Sequence, residues 1–396
     1  MSAINCLVIT SLYPNSIQFR HGVFVETRIK HVHKSNNVNI NVIAPVPWFP
    51  FKSRFFPEYS KLVDVPRHEI WHGIYVCHPR YLVIPKIGML ITPIFLAICI
   101  LREIRYLYKR GCSFDVIDAH YYYPDGVAAA IVSKVLKIPL MITARGTDIN
   151  LISDFLIPRK MMVWAGKVAK FNLAVCEALR QRMLEIGFAE NSTRVFRNGV
   201  DLNLFHPTAI DETRQKRNLQ SKQLISVGYL IERKGHHLII EAMASLPGYQ
   251  LVIVGDGEWR EKLESLAKKH GVQERVKFVG EVPQERLPEL YSRADALVLA
   301  SSREGWANVL LEAMACGTPV VATRIWGTPE VVQTPEAGVL CNERSVQGIV
   351  EAVQRLFVNY PDREKTRQYA EGFSWQETTE GLLALISEIN RSNLPQ

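Results

Sequence analysis

The feature that most limits what this chain can fold into is an alternation of short apolar runs with longer helical ones, which completes itself once and then starts again. Cys6–Thr10, Val38–Ala44, Gly73–His78, Val116–Ala119, Leu140–Ala144 and Asn172–Val175 read as strands. Between them, Val23–Lys34, Pro93–Lys109, Asp125–Lys137, Lys160–Ala169 and Glu177–Ile186 read as helices. Such alternation predicts a doubly wound parallel α/β sheet. After Arg197-Asn198-Gly199-Val200-Asp201 and a polar stretch from Asp211 to Lys222, the pattern restarts. Leu224–Val227, Gln250–Val254, Val276–Val279, Ala296–Leu299, Val320–Thr323 and Gly338–Cys341 follow as strands of a second sheet. At 396 residues the chain exceeds what one core sustains. Two domains are therefore expected, over residues 1–200 and 201–375.

The charge is uneven. The formal balance is +8, but residues 1–200 hold 25 lysines and arginines against 13 acids, leaving 22 against 26 in the remainder. A basic half suits nucleic acid, an anionic membrane or an acidic acceptor. No zinc-finger spacing, RNP-like aromatic string or Lys/Arg run marks a nucleic-acid footprint, which leaves membrane or acidic glycan. The seven cysteines are scattered with no C-x-x-C pair, so neither a disulfide framework nor a zinc site is expected. The first ten residues lack a basic n-region and run straight into a strand pattern, so a cytoplasmic location is expected.

Ile87–Leu101 is uncharged and bracketed by Arg80, Lys86, Arg102, Arg105, Lys109 and Arg110. As a helix it would span about 22 Å, short of the roughly 30 Å hydrocarbon core, and Pro93 interrupts it. It reads either as a core helix or as an interfacial contact on the inner face of the cytoplasmic membrane. Trp48-Phe49-Pro50-Phe51 and Phe55-Phe56-Pro57, with Lys52 and Arg54 between, add an aromatic loop that could dock at headgroups or fold inward.

Most chemistry lies between Ser301 and Thr323. Ala296–Ala300 reads as a buried strand, and Gly317-Thr318-Pro319 stops the intervening helix before Val320-Val321-Ala322 opens the next strand. Glu304 then sits on the loop leaving a strand's carboxyl end, the usual ligand position in an open α/β sheet. Glu312 lies about one turn into the helix. That helix begins near Asn308 and Val309, where free N–H groups attract phosphate. A loop carboxylate can meet a sugar ring while the helix carboxylate meets a ribose, with a pyrophosphate on the amides between. Two glutamates at this spacing, taken alone, are more often a solvated loop acid and a partner of the helix dipole.

The residues around them reverse that balance. The segment resembles the E-x7-E signature and the E-A-M-A-x-G-x-P-V-V-A sequel of retaining GT-B glycosyltransferases, a family that includes many bacterial polysaccharide and lipid-sugar transferases. Val227–Gly235 resembles the family's G-R-L-x-x-x-K-G, with Tyr229 in place of its Arg. The resemblance implies two Rossmann-like doubly wound parallel-sheet domains facing a cleft, with the C-terminal helix, residues 376–396, packing back on the first. It implies that Glu304 positions the donor sugar, that Glu312 holds the ribose, and that Lys234 and Arg233 stabilise the leaving diphosphate. Asn308 and Val309 join the donor site, Val279 borders the base, and Gly22 admits phosphate to a helix start. His120 contacts the donor sugar, and Asn198, though also an ordinary turn residue, faces the cleft. Arg145 and Asp148 are the acceptor candidates.

The expected activity is retaining, metal-independent transfer of a sugar from a UDP- or GDP-linked donor to a lipid-linked or polysaccharide acceptor in cell-surface glycan biosynthesis. No cofactor is expected, because the nucleotide-sugar is a substrate and no D-x-D or His/Asp/Glu spacing marks a metal. Expected partners are the donor, a glycan or lipid-linked acceptor and an anionic membrane surface, with no nucleic acid. Two alternatives stay open: a nucleotide-sugar epimerase on the same fold, and a non-catalytic polysaccharide-assembly protein.

Overall fold

The computed structural model describes residues 3–48, 62–83, 88–208 and 221–391. The aromatic loop from Phe49 to Pro57 and most of the polar linker lie outside them. The chain forms two compact units, residues 1–197 with 376–396, and residues 198–375.

The N-terminal unit contains β1 (Ile4–Ile9), β2 (Val38–Ile43), β3 (Val46–Trp48), β4 (His68–Trp71), β5 (Ile74–Cys77), β6 (Arg80–Leu82), β7 (Val116–His120), β8 (Leu140–Ala144), β9 (Phe171–Ala174) and β10 (Thr193–Val195). Eight of these form one sheet in the order β10-β9-β8-β7-β1-β2-β5-β4, while β3 and β6 make a separate pair. β7, β8 and β9 are buried along their whole length, as interior parallel strands covered on both faces must be. The sheet is parallel as expected except at one edge, where β4, a strand not expected from the sequence, runs antiparallel to β5. The polar run His68-Glu69-Ile70-Trp71 hides this strand from a hydrophobicity reading. The hairpin is closed by His72 and Gly73, both at positive φ, which suits a two-residue turn.

Sequence order reverses between β1 and β7, the switch point where open α/β sheets hold ligands beyond their carboxyl ends. Helix Val23–Lys34 follows β1 and buries Val25, Ile29 and Val32, spaced for one helical face. Helix Trp375–Arg391 sends Leu382, Leu385, Ile386 and Ile389 into the same core. Each buried aliphatic of this kind contributes roughly 1.5–3 kcal/mol, which explains why a distant piece of chain belongs to this unit. The apolar 87–101 segment forms part of helix Gly88–Lys109. Leu96, Ala97, Ile100, Ile104 and Leu107 are buried, whereas Leu90, Ile94 and Ile98 are exposed. Among the described residues no helix is long and apolar enough to cross a membrane.

The C-terminal unit is one six-stranded sheet of β11 (Lys222–Val227), β12 (Tyr249–Val254), β13 (Val276–Gly280), β14 (Ala296–Leu299), β15 (Val320–Thr323) and β16 (Gly338–Cys341). Its order is β13-β12-β11-β14-β15-β16, and every pair is parallel. The switch point lies between β11 and β14. Their carboxyl-end loops are the two singled out in the sequence.

Candidate active site

In the C-terminal unit, β11 and β14 are neighbours in the sheet, so the loops that leave them emerge side by side. The β11 loop ends in a short turn, Glu232–Lys234, followed by Gly235 and helix His236–Ala242. Gly235 has φ 74°, and a Cβ there would meet the Ala300 carbonyl oxygen at 2.0 Å. Only glycine lets the Lys234 turn press this closely on the β14 loop.

The contact brings opposite charges together. Lys234 Nζ donates to Glu304 Oε1 at 2.6 Å, and the Ser301 hydroxyl donates to the same oxygen at 2.7 Å. Arg233 NH1 lies 3.8 Å from Glu304 Oε2 and donates to the Arg303 carbonyl at 2.9 Å. The Ser302 amide donates to the Arg233 carbonyl at 2.8 Å, tying the loops backbone to backbone. Burial pushes the Glu304 carboxyl up, but Lys234, Arg233 and the hydrogen bonds from Lys234 and Ser301 outweigh it and hold the group below its ordinary range. Tyr229, where the resembling pattern has Arg, is exposed; the second cation at Glu304 comes from Arg233.

Helix Asn308–Ala315 carries Glu312 in its second turn. It ends in a Schellman arrangement, with the Thr318 amide on the Ala313 carbonyl and the Gly317 amide on that of Met314. The Tyr291 hydroxyl donates to Glu312 Oε2 at 2.9 Å. Burial raises the Glu312 carboxyl to about 7, against the smaller opposing effects of Tyr291 and Lys234. The two glutamates of one motif are thus driven in opposite directions, a separation typical of sites that divide roles between carboxylates. Asn198 Nδ2 donates to Asn308 Oδ1 at 3.3 Å, so Asn198 supports the start of this helix. Val309 follows in its first turn, and Val279 lies near the end of edge strand β13.

The N-terminal unit holds the remaining candidates beyond the carboxyl ends of β1 and β7, which flank its switch point, and of the neighbouring β8. Gly22 caps helix Val23–Lys34 at φ 72°, and a Cβ there would meet the Leu12 carbonyl carbon and oxygen at 2.2 Å. His120 ends β7 and is fully buried. Its Nδ1 lies 2.9 Å from Arg145 NH2, and its Nε2 lies 3.4 Å from Asp118 Oδ2. A guanidinium only donates, so Nδ1 accepts and the proton sits on Nε2, facing Asp118. Burial, opposed by Asp118 and helped by Arg145, lowers the imidazole to about 4, leaving it neutral at pH 7. The Asp148 carboxylate is fully buried and accepts from the backbone amides of Tyr122 (2.8 Å), Gly146 (2.8 Å) and Arg145 (3.1 Å), so it shapes the loop that presents Arg145.

Several residues in these networks were not among the sequence candidates. Tyr291, Ser301, Asp118 and the fully buried Arg28, whose charge also bears on Asp118, come from separate strands, loops and helices. His236 lies under the Lys234 turn with Nδ1 3.1 Å from the Ser226 hydroxyl, and burial lowers it to about 4. Ser301 heads the glutamate segment and His236 directly follows Lys234-Gly235; the others had no sequence signal.

Comparison with known proteins adds a second line of observation. Residues 209–373 match the family model for glycosyl transferases group 1, and residues 55–204 match that for glycosyltransferase family 4. The chain is 31% identical over 357 residues to the putative teichuronic acid biosynthesis glycosyltransferase TuaC of Bacillus subtilis, covering 88% of each chain. It is 34% identical over 184 residues to the lipopolysaccharide core biosynthesis glycosyltransferase LpsE of Rhizobium meliloti, covering 45% of this chain and 54% of that one. Among solved structures it resembles a sucrose-phosphate synthase from Thermosynechococcus elongatus (TM-score 0.79, 18% identity, 99% and 100% coverage). It also resembles HepE from Anabaena in complex with UDP (TM-score 0.72, 20% identity, 98% and 100% coverage).

Proposed function

Since the chain belongs to the glycosyltransferases of family 4 and group 1, with the GT-B fold, we propose that it moves a sugar, with retention, from a UDP- or GDP-linked donor to a lipid-linked or polysaccharide acceptor of the cell surface. The observation that carries this reading is the Lys234–Glu304–Arg233 cluster at the switch point of the C-terminal sheet. It offers a carboxylate held ionised for sugar hydroxyls and two cations for a leaving diphosphate. Glu312, oriented by Tyr291, faces the ribose, and the first amides of its helix, at Asn308 and Val309, take phosphate charge. Val279 borders the base, and Gly22 admits phosphate on the N-terminal side. His120 and Arg145 serve the sugar and acceptor from that unit.

In the proposed step the bond between the anomeric carbon and the diphosphate oxygen breaks while the acceptor oxygen bonds to the same face of that carbon. The leaving phosphate takes the acceptor's proton. The diphosphate charge is met by Lys234, Arg233 and helix amides, so no metal is required for transfer. UDP complexes of HepE support a uridine donor, and the names of TuaC and LpsE support an envelope glycan.

Glu304→Gln and Lys234→Ala should each lower transfer at least 100-fold, a loss of about 3 kcal/mol in transition-state stabilisation, while circular dichroism stays native. Turnover within threefold of wild type in either variant would remove the proposed site. Conversion of donor without acceptor would instead indicate an epimerase.

A further inference from the structure

A second cluster of chemically capable side chains lies in the N-terminal unit, outside the residues assigned above. His68 on β4 stands opposite Cys77 on β5 in the antiparallel pair, which puts both side chains on one face of the hairpin. Glu103 reaches them from helix Gly88–Lys109. The ligating atoms of all three lie within 4.8 Å of one another. The imidazole of His68 is held in place, with the Tyr75 hydroxyl 3.0 Å from Nδ1 and the rings of Tyr75 and Tyr106 stacked against it at 5.7 and 5.9 Å. Cys77 is a free, buried thiol. Glu103 Oε1 is buried and takes no hydrogen bond from a nitrogen or oxygen donor, and the carboxylate's close neighbour is the Cys77 thiol.

We propose that His68, Cys77 and Glu103 bind one zinc ion, with water completing its coordination, and that the ion pins the edge hairpin β4–β5 to the long helix. One sulfur, one nitrogen and one oxygen donor suit a borderline-soft ion. Calcium and magnesium call for oxygen donors throughout. Tetrahedral zinc sets its ligands about 3.5 Å apart, so side-chain rotations of about 1 Å close the site and bring the buried Glu103 oxygen onto the ion. Zinc takes the Cys77 sulfur as a thiolate, so forming the S–Zn bond releases H⁺, and affinity should fall as pH falls. The site lies on the β5–β4 edge of the sheet, off the β1/β7 switch point, which assigns it to stability rather than to sugar transfer.

Cobalt titration of the chelator-stripped full chain tests this, because a thiolate–cobalt bond gives a near-ultraviolet charge-transfer band. One equivalent of Co²⁺ should develop the band, Zn²⁺ should abolish it, and Zn²⁺ should raise Tm of the wild type. Cys77→Ser should lose the band. His68→Asn, an exposed substitution chosen to preserve the fold, should weaken zinc binding at least tenfold and remove most of the Tm rise. Absence of the band in wild type, or equal zinc affinity in wild type and His68→Asn, would overturn the assignment and point to adventitious binding by other histidines.

Discussion

Glu304 and Glu312 belong to one motif, yet the fold gives them different protonation behaviour. Glu304 meets Lys234, Arg233 and Ser301, whereas Glu312 is buried and accepts from Tyr291. The carboxyl of Glu312 moves from an ordinary value of 4.5 to about 7 in the folded chain. Between these values the native state binds a proton that the unfolded chain has lost, so stability is fully present below about pH 4.5, falls as pH rises to 7, and is level above. The contribution is about 3 kcal/mol at most. Glu312→Gln should therefore lose less stability than wild type between pH 5 and pH 8, measured by urea unfolding at each pH; parallel curves would contradict the buried-acid assignment. Tyr291→Phe removes a bond that favours the charged carboxylate, and should shift the pH dependence of donor KM upward with little change in kcat. The identities of Glu304, Glu312 and Lys234 were legible because their motif residues are contiguous. Tyr291 was not, since its 2.9 Å bond joins positions 21 residues apart that no local pattern relates.

At the scale of elements, hydrophobic period located nearly every interior strand and most helices, often to within a residue or two. The errors fell on exposed or polar elements. β4 and β10 carry too little apolar content to stand out, although the hairpin turn at His72-Gly73 offered a local clue. Helix Gly88–Lys109 divides its apolar residues between two faces. One face fills the core, and the other presents Leu90, Ile94 and Ile98 at intervals of four, ahead of Arg102, Arg105 and Lys109. An apolar stripe beside cations suits the surface of an anionic bilayer. Replacing Leu90, Ile94 and Ile98 together by serine should reduce co-sedimentation with phosphatidylglycerol vesicles at least fivefold at low salt. Unchanged sedimentation would rule out this face as the attachment surface.

For the molecule as a whole, two sheets with separate cores predict two unfolding steps. Calorimetry with UDP-glucose or GDP-mannose at 100 times its Kd should stabilise the C-terminal unit by about 2.7 kcal/mol. The corresponding shift is roughly 5–10 °C for a unit of this size, larger than that of the other transition, because Lys234, Arg233, Glu304 and Glu312 all lie in this unit. A larger shift of the N-terminal transition would contradict the placing of most donor contacts on the second sheet. The sequence by itself determined the doubled α/β order, the strands of each core and the charged residues at two loop ends, because hydrophobic period and motif spacing are local properties of the chain. The tertiary structure decided which groups meet. Strand order set β11 beside β14 and so paired Lys234 with Glu304, and helix packing set Glu103 against His68 and Cys77. Burial raises both glutamates, and the cations at Glu304 then separate them by sign of shift, because neighbouring charge depends on distances in space that spacing along the chain does not encode.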